Sequence, residues 1–122
     1  MGKKLRLLVV DDEDGLRTLL KSELELHGFD VDEADGGTIA LEAAKANVYD
    51  LIILDIRMPD IDGLEVLRRI RSEKLAKKVI MLTGVDELKI ARETLELGAD
   101  DFLTKPIEFK NLIACIDRVV KE

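Results

Sequence analysis

The feature that most constrains this chain is an alternation repeated five times. A short apolar run is followed each time by a longer stretch whose apolar residues keep helical spacing. The runs are residues 5–10 (broken only by Arg6), 29–34, 51–54, 79–82 and 99–104. Continuous apolar runs of this length suit strands buried on both faces, and the alternation within 29–34 suits a strand nearer the sheet edge. Between the runs lie helix-like sets: Leu16, Leu19, Leu20 and Leu24; Ile39, Ala40, Ala43 and Ala44; Leu64, Leu67 and Ile70; Leu88, Ala91 and Leu95; and Phe109, Leu112, Ile113, Ile116 and Val120. Gly28 and Gly98 are placed to close helices. Asp62 with Glu65 reads as a capping box, and Asp86 as a cap for the fourth helix. Strands that alternate with helices predict an α/β fold, a mostly parallel sheet covered on both faces. The chain length of 122 residues suits a single domain over 1–122.

All strand C-termini of a parallel sheet share one edge, and open α/β sheets bind ligands there. Asp11 and Asp12 follow the first run, Asp55 the third, Thr83 the fourth and Lys105 the fifth. The third run stops firmly, because Pro59 fixes φ and has no N–H to continue a ladder. Three carboxylates on one edge repel each other, and a hard divalent cation is the natural compensation. Magnesium takes oxygen ligands, binds one or two carboxylates and keeps several waters. Asp12 and Asp55 are the expected direct ligands, Asp11 acts through a water, and a backbone carbonyl near Arg57 can add another. Lys105 adds a fixed positive charge and Thr83 a hydroxyl. Such a set suits phosphoryl transfer, with Asp55 as nucleophile forming an acyl phosphate. Plainer readings exist for each piece. The acids at 11–14 can be helix-start charges, Thr83-Gly84 an ordinary turn, and Lys105-Pro106 a strand breaker. All of them falling at strand ends favours the joint reading.

Acidic residues outnumber basic ones, 26 to 19, for a net charge of −7. That field repels phosphate backbones, so direct nucleic-acid binding by this segment is not expected. One cysteine, Cys115, rules out an internal disulfide, and a reducing cytoplasm is the expected compartment. Cys115 falls in the apolar series of the last helix and reads as a core or boundary residue. His27, the single histidine, reads as a surface residue rather than a phosphoryl carrier. No apolar stretch reaches membrane-spanning length. Neither glycine-rich phosphate loop is present, and the positions before Gly15 and Gly63 lack the oxygen pattern of a calcium loop.

Four pieces carry a family resemblance: Leu7 through Glu13; Asp55-Ile56-Arg57-Met58-Pro59-Asp60-Ile61-Asp62-Gly63; Thr83-Gly84; and Gly98 through Pro106. In this order and spacing the chain resembles the receiver domain of two-component response regulators, over essentially its full length. The resemblance implies a flavodoxin-like, doubly wound sandwich with five parallel strands in the order 2-1-3-4-5 and five helices, an order for which a member of this family is a standard example. It implies that Asp55 takes a phosphoryl group from a sensor histidine kinase or a phosphotransfer protein. By the same match Asp11, Asp12, Asp55 and the Arg57 carbonyl hold Mg2+, Lys105 contacts the phosphoryl group, Thr83 is the switch hydroxyl and Phe102 the switch aromatic. It further implies a cis peptide between Lys105 and Pro106. Output is expected through the face made by the fourth helix, fifth strand and fifth helix, which meets a downstream effector or forms a phosphorylation-dependent homodimer. Cys115 stands where one large DNA-binding subgroup carries a basic residue of its dimer. Receivers are phosphoacceptors rather than enzymes acting on a separate substrate. Two other classes compete. An aspartyl phosphohydrolase would place a general acid where Arg57 stands, and a purely structural module would lack the acceptor or the lysine.

Overall fold

The computed structural model describes residues 4–122. Five parallel strands form one sheet: β1 (Arg6–Val10), β2 (Asp30–Ala34), β3 (Tyr49–Asp55), β4 (Ala76–Thr83) and β5 (Asp101–Thr104), in the order β2-β1-β3-β4-β5. The helices are α1 (Asp14–Leu26), α2 (Gly37–Ala46), α3 (Gly63–Ser72), α4 (Leu88–Glu96) and α5 (Phe109–Lys121), with a 3-10 turn at Val85–Glu87 before α4. The parallel sheet covered on both faces is what the alternation predicts, and its flavodoxin-like strand order is what the resemblance implies.

The pleat sorts the strand residues onto two faces. Leu7 and Val9, Leu51 and Ile53, and Ile80 and Leu82 pack with Leu20 and Leu24 of α1 and Leu112, Cys115, Ile116 and Val119 of α5. The alternate residues Leu8 and Val10, Ile52 and Leu54, and Val79 and Met81 pack with α2, α3 and α4. Helices therefore cover both faces, which is why the central strands read as unbroken apolar runs. Each such side chain contributes about 1.5–3 kcal/mol when fully buried.

Local chemistry sets the boundaries. Asp62 caps α3 by accepting from the Glu65 N–H at 3.0 Å. Gly28 and Gly98 close α1 and α4 with φ of 91° and 108°, a left-handed backbone that suits glycine. Not every apolar residue at helical spacing faces the core, and the expectation that Leu88, Ala91 and Leu95 all point inward needs correction. Leu19 and Ile39 are exposed. Asp86 lies inside the 3-10 turn rather than capping α4. That turn displaces the helix, so α4 buries Ala91 and Thr94, while Leu88 and Leu95 face outward with Val85. Thr94 tolerates burial because its hydroxyl donates to the Ala91 carbonyl. No helix among the described residues is long and apolar enough to cross a membrane.

Candidate phosphoryl-transfer site

The C-terminal edge of the sheet is built by backbone bonds that run past the strand ends. The Asp11 N–H donates to the Ala34 carbonyl at 3.2 Å, the Ile56 N–H to Leu82 at 3.1 Å, and the Lys105 N–H to Thr83 at 2.7 Å. Each functional side chain thus leaves a backbone already tied to its neighbour strand. Asp55, the last residue of β3, is aligned with Leu82 of β4. The loop after it folds back tightly, with the Gly63 N–H donating to the Ile56 carbonyl at 2.6 Å. A Cβ on Gly63 would collide with the Asp55 carbonyl and lie 2.7 Å from Ile56 Cα, so only glycine fits this return. Asp60 pins the same loop to α2. Its two oxygens accept from the Gly37 and Thr38 N–H groups at 3.0 and 2.9 Å. Those backbone bonds hold its carboxyl well below the usual carboxylate range.

Carboxylate oxygens of Asp11, Asp12 and Asp55 all lie within 4.8 Å of one another. Asp11 and Asp55 are buried, and Asp12 is exposed. Lys105 Nζ sits 2.9 Å from Asp11 Oδ2 and 3.4 Å from Asp55 Oδ2. The first contact is an ion pair without hydrogen-bond alignment, so buried Asp11 Oδ2 has a counter-charge but no donor directed at it. One lysine does not balance three acids. Burial, then the charge of Asp11, pushes the Asp55 pKa up to about 6, against the opposing pull of Lys105. Burial works to lower the Lys105 pKa, but the contact with Asp11 and the charges of Asp55 and Asp11 outweigh it and raise the net value. A cluster of three carboxylates beside a single lysine fits a hard cation. Thr83 is fully buried, and its hydroxyl donates to the Gly84 carbonyl at 3.2 Å.

A model of the response regulator receiver domain matches residues 7–117. The chain belongs to the response regulator receiver family. Receiver domains are signalling phosphoacceptors, and the acidic triad here is typical of the family's magnesium site. Over 121 residues the receiver is 42% identical to the alkaline phosphatase synthesis transcriptional regulatory protein PhoP of Bacillus subtilis, covering 99% of this chain and 50% of that protein. The chain therefore spans about half the length of the curated relatives it matches. Among solved structures, the Francisella response regulator 1452 receiver domain superposes with a TM-score of 0.89 at 33% identity, covering 97% of this chain and 98% of that one. The chemotaxis protein CheY4 of Vibrio cholerae gives 0.89 at 29% identity, covering 96% and 99% respectively.

In this receiver Asp11, Asp12, Asp55 and Lys105 come together, with Thr83 at the end of the adjoining strand. Phe102 is half-buried in β5, opposite Met81. The Lys105–Pro106 peptide is cis. Arg57 is exposed, and its guanidinium pairs with Glu87. Cys115 is buried, its thiol 3.4 Å from Asp101 Oδ2, and burial first, then the Asp101 charge, pushes its pKa up to about 12. Two neighbours escaped the sequence reading. Arg17 donates to the Asp11 carbonyl at 2.7 Å while holding Glu33 and Asp14, so it braces the acidic loop. Its spacing from Asp14 was the available signal. Glu87 is buried, which nothing in its sequence context announces.

Proposed function

We propose that residues 1–122 form one receiver unit in which Asp55 accepts a phosphoryl group from a phosphohistidine on a sensor kinase or phosphotransfer protein. The observation that carries this is Asp55 itself. It is a buried carboxylate at a strand C-terminus, with its pKa raised to about 6, beside Asp11 and Lys105. At neutral pH it is ionised and competent to attack. An Asp55 oxygen forms the new bond to phosphorus as the phosphorus–nitrogen bond of the donor breaks, and the electron pair returns to the donor imidazole.

Lys105 is already within 3.4 Å of an Asp55 oxygen and can follow the developing acyl phosphate. The Asp11, Asp12 and Asp55 side chains, with the Arg57 carbonyl, would hold Mg2+. Bound magnesium would neutralise the charge on the transferring oxygens. Arg17 keeps the Asp11 backbone in place meanwhile. The Thr83 hydroxyl leaves the Gly84 carbonyl to donate to the phosphoryl group, and Phe102 turns into the vacated space. The surface of α4, β5 and α5 then changes, and it meets an effector protein or domain or a second copy of the chain. The contacts that differ between the two states supply the energy of the switch. The outward Val85, Leu88 and Leu95 give that surface apolar contact area. A cytoplasmic setting agrees with this chemistry, and the net charge of −7 disfavours direct nucleic-acid binding by this segment.

Incubation with magnesium and acetyl phosphate, read by intact mass, tests the proposal. One phosphoryl adduct is expected, lost on Asp55→Asn and on chelation of the metal. An adduct that persists in Asp55→Asn contradicts the assignment of Asp55.

A further inference from the structure

Three carboxylates are buried among the described residues: Asp11, Asp55 and Glu87. The first two belong to the acidic site. Glu87 does not, yet it is only 6% exposed. Its two oxygens reach the two loops that flank the acceptor. Oε1 accepts the Gly84 N–H at 2.9 Å, and Oε2 pairs with Arg57 Nε. Gly84 directly follows Thr83, and Arg57 lies two residues beyond Asp55. The Glu87 N–H also donates to the Gly84 carbonyl at 3.0 Å, the same carbonyl that accepts the Thr83 hydroxyl. Both donors at the end of β4, the Thr83 hydroxyl and the Gly84 N–H, are therefore engaged within one turn that Glu87 closes.

A phosphoryl group on Asp55 brings anionic oxygens that need donors from this edge. Lys105 is one. Thr83 and Gly84, at the end of the strand paired with β3, carry two more, and Glu87 helps to occupy both. Glu87 also places negative charge beside them. A Cβ on Gly84 would lie 2.9 Å from Asp86 Oδ1 and 3.1 Å from Glu87 Oε1, so the carboxylates crowd this position. A bond from an N–H to a carboxylate is about twice as strong as one to a neutral acceptor.

We infer that Glu87 is a positioning residue for the reaction at Asp55: its carboxylate acts as an internal anion that holds the Gly84 N–H and, with Arg57, ties the two loops together against an incoming phosphoryl group. The inference rests on the phosphoacceptor reading. Glu87 lowers the affinity of the site for a phosphoryl-like anion while leaving the metal carboxylates untouched. Arg57 supplies the neutralising charge that lets the carboxylate stay buried.

The test is Glu87→Gln, which keeps the size and an oxygen for the Gly84 N–H but removes the charge. Beryllium fluoride, a phosphoryl mimic, is titrated in saturating magnesium, and magnesium is titrated separately without fluoride. The expected result is a roughly three- to tenfold tighter response to beryllium fluoride, with magnesium affinity changed less than about twofold. Glu87→Ala, which removes both oxygens, should tighten it at least as much. A residue with only a structural role would weaken both titrations together. Unchanged or weaker beryllium fluoride binding in the folded variants overturns the assignment of Glu87. Absence of any response in the unaltered protein would instead overturn the phosphoacceptor reading.

Discussion

The two edges of the sheet use the same residue types and reach opposite outcomes. Near the N-terminal edge, Asp50 accepts the Arg6 N–H at 2.8 Å and pairs with Lys77 at 3.4 Å. Asp32 accepts from the Arg6 guanidinium at 2.9 Å and from the Tyr49 hydroxyl at 2.6 Å. Arg6 also lies over the Tyr49 ring, 5.2 Å from its centre. Both of these acids have partners. Burial and the bond to Asp32 raise the Tyr49 pKa, which keeps the phenol a donor. At the C-terminal edge three carboxylates cluster, one lysine contacts two of them, and the Asp55 pKa is raised. The first edge is closed chemistry that holds strands together. The second is left short of positive charge, which suits the proposed binding of a cation and a phosphoryl group.

The largest expected effect tests how tightly the second edge is built. Gly63→Ala should cost about 3 kcal/mol or more in urea unfolding, because its Cβ meets backbone rather than a yielding side chain. A cost under about 1 kcal/mol would mean that the loop after Asp55 can relax.

Next comes the charge imbalance. The Asp55 pKa rises from 3.8 to about 6 on folding, so the folded state binds the proton more tightly. Its stabilising contribution is full below about pH 4 and is lost as pH rises through about 6. Asp55→Asn removes that loss. In chelator, it should be more stable than the unaltered protein at pH 8 by on the order of 2 kcal/mol, and the gain should shrink toward zero at pH 4. Thermal unfolding at both pH values checks this. A destabilised variant at pH 8 would show that the acids are already balanced.

The smallest effect sharpens the other side of the comparison. Tyr49→Phe should destabilise by about 1 kcal/mol through the lost bond to Asp32. It should leave phosphoryl adduct formation unchanged, because the two edges lie at opposite ends of the strands.

The sheet and the acidic site were legible because both depend on strand ends. An apolar run followed at once by Asp11, by Asp55 or by Thr83 marks its own terminus, and parallel topology does the gathering. Helix faces were less legible. Leu88 and Leu95 share helical spacing with Ala91, but the 3-10 turn before α4 rotates them outward. Asp86 looks like a cap, yet Gly84 and Glu87 close the turn. Glu87 sits in a charged stretch that reads as solvated. Its burial follows from Arg57, thirty residues earlier in the chain, a tertiary pairing that no local pattern carries. β5 is short and half-buried at every position, so its apolar signal is weak.

The most direct measurement is to locate the phosphoryl group. The protein is treated with magnesium and acetyl phosphate, the acyl phosphate is reduced with borohydride, and the peptide spanning β3 is sequenced by mass spectrometry. The reduced, alcohol-bearing residue is expected at position 55. Modification at Asp11, Asp12 or another carboxylate, with Asp55 unmodified, would contradict it.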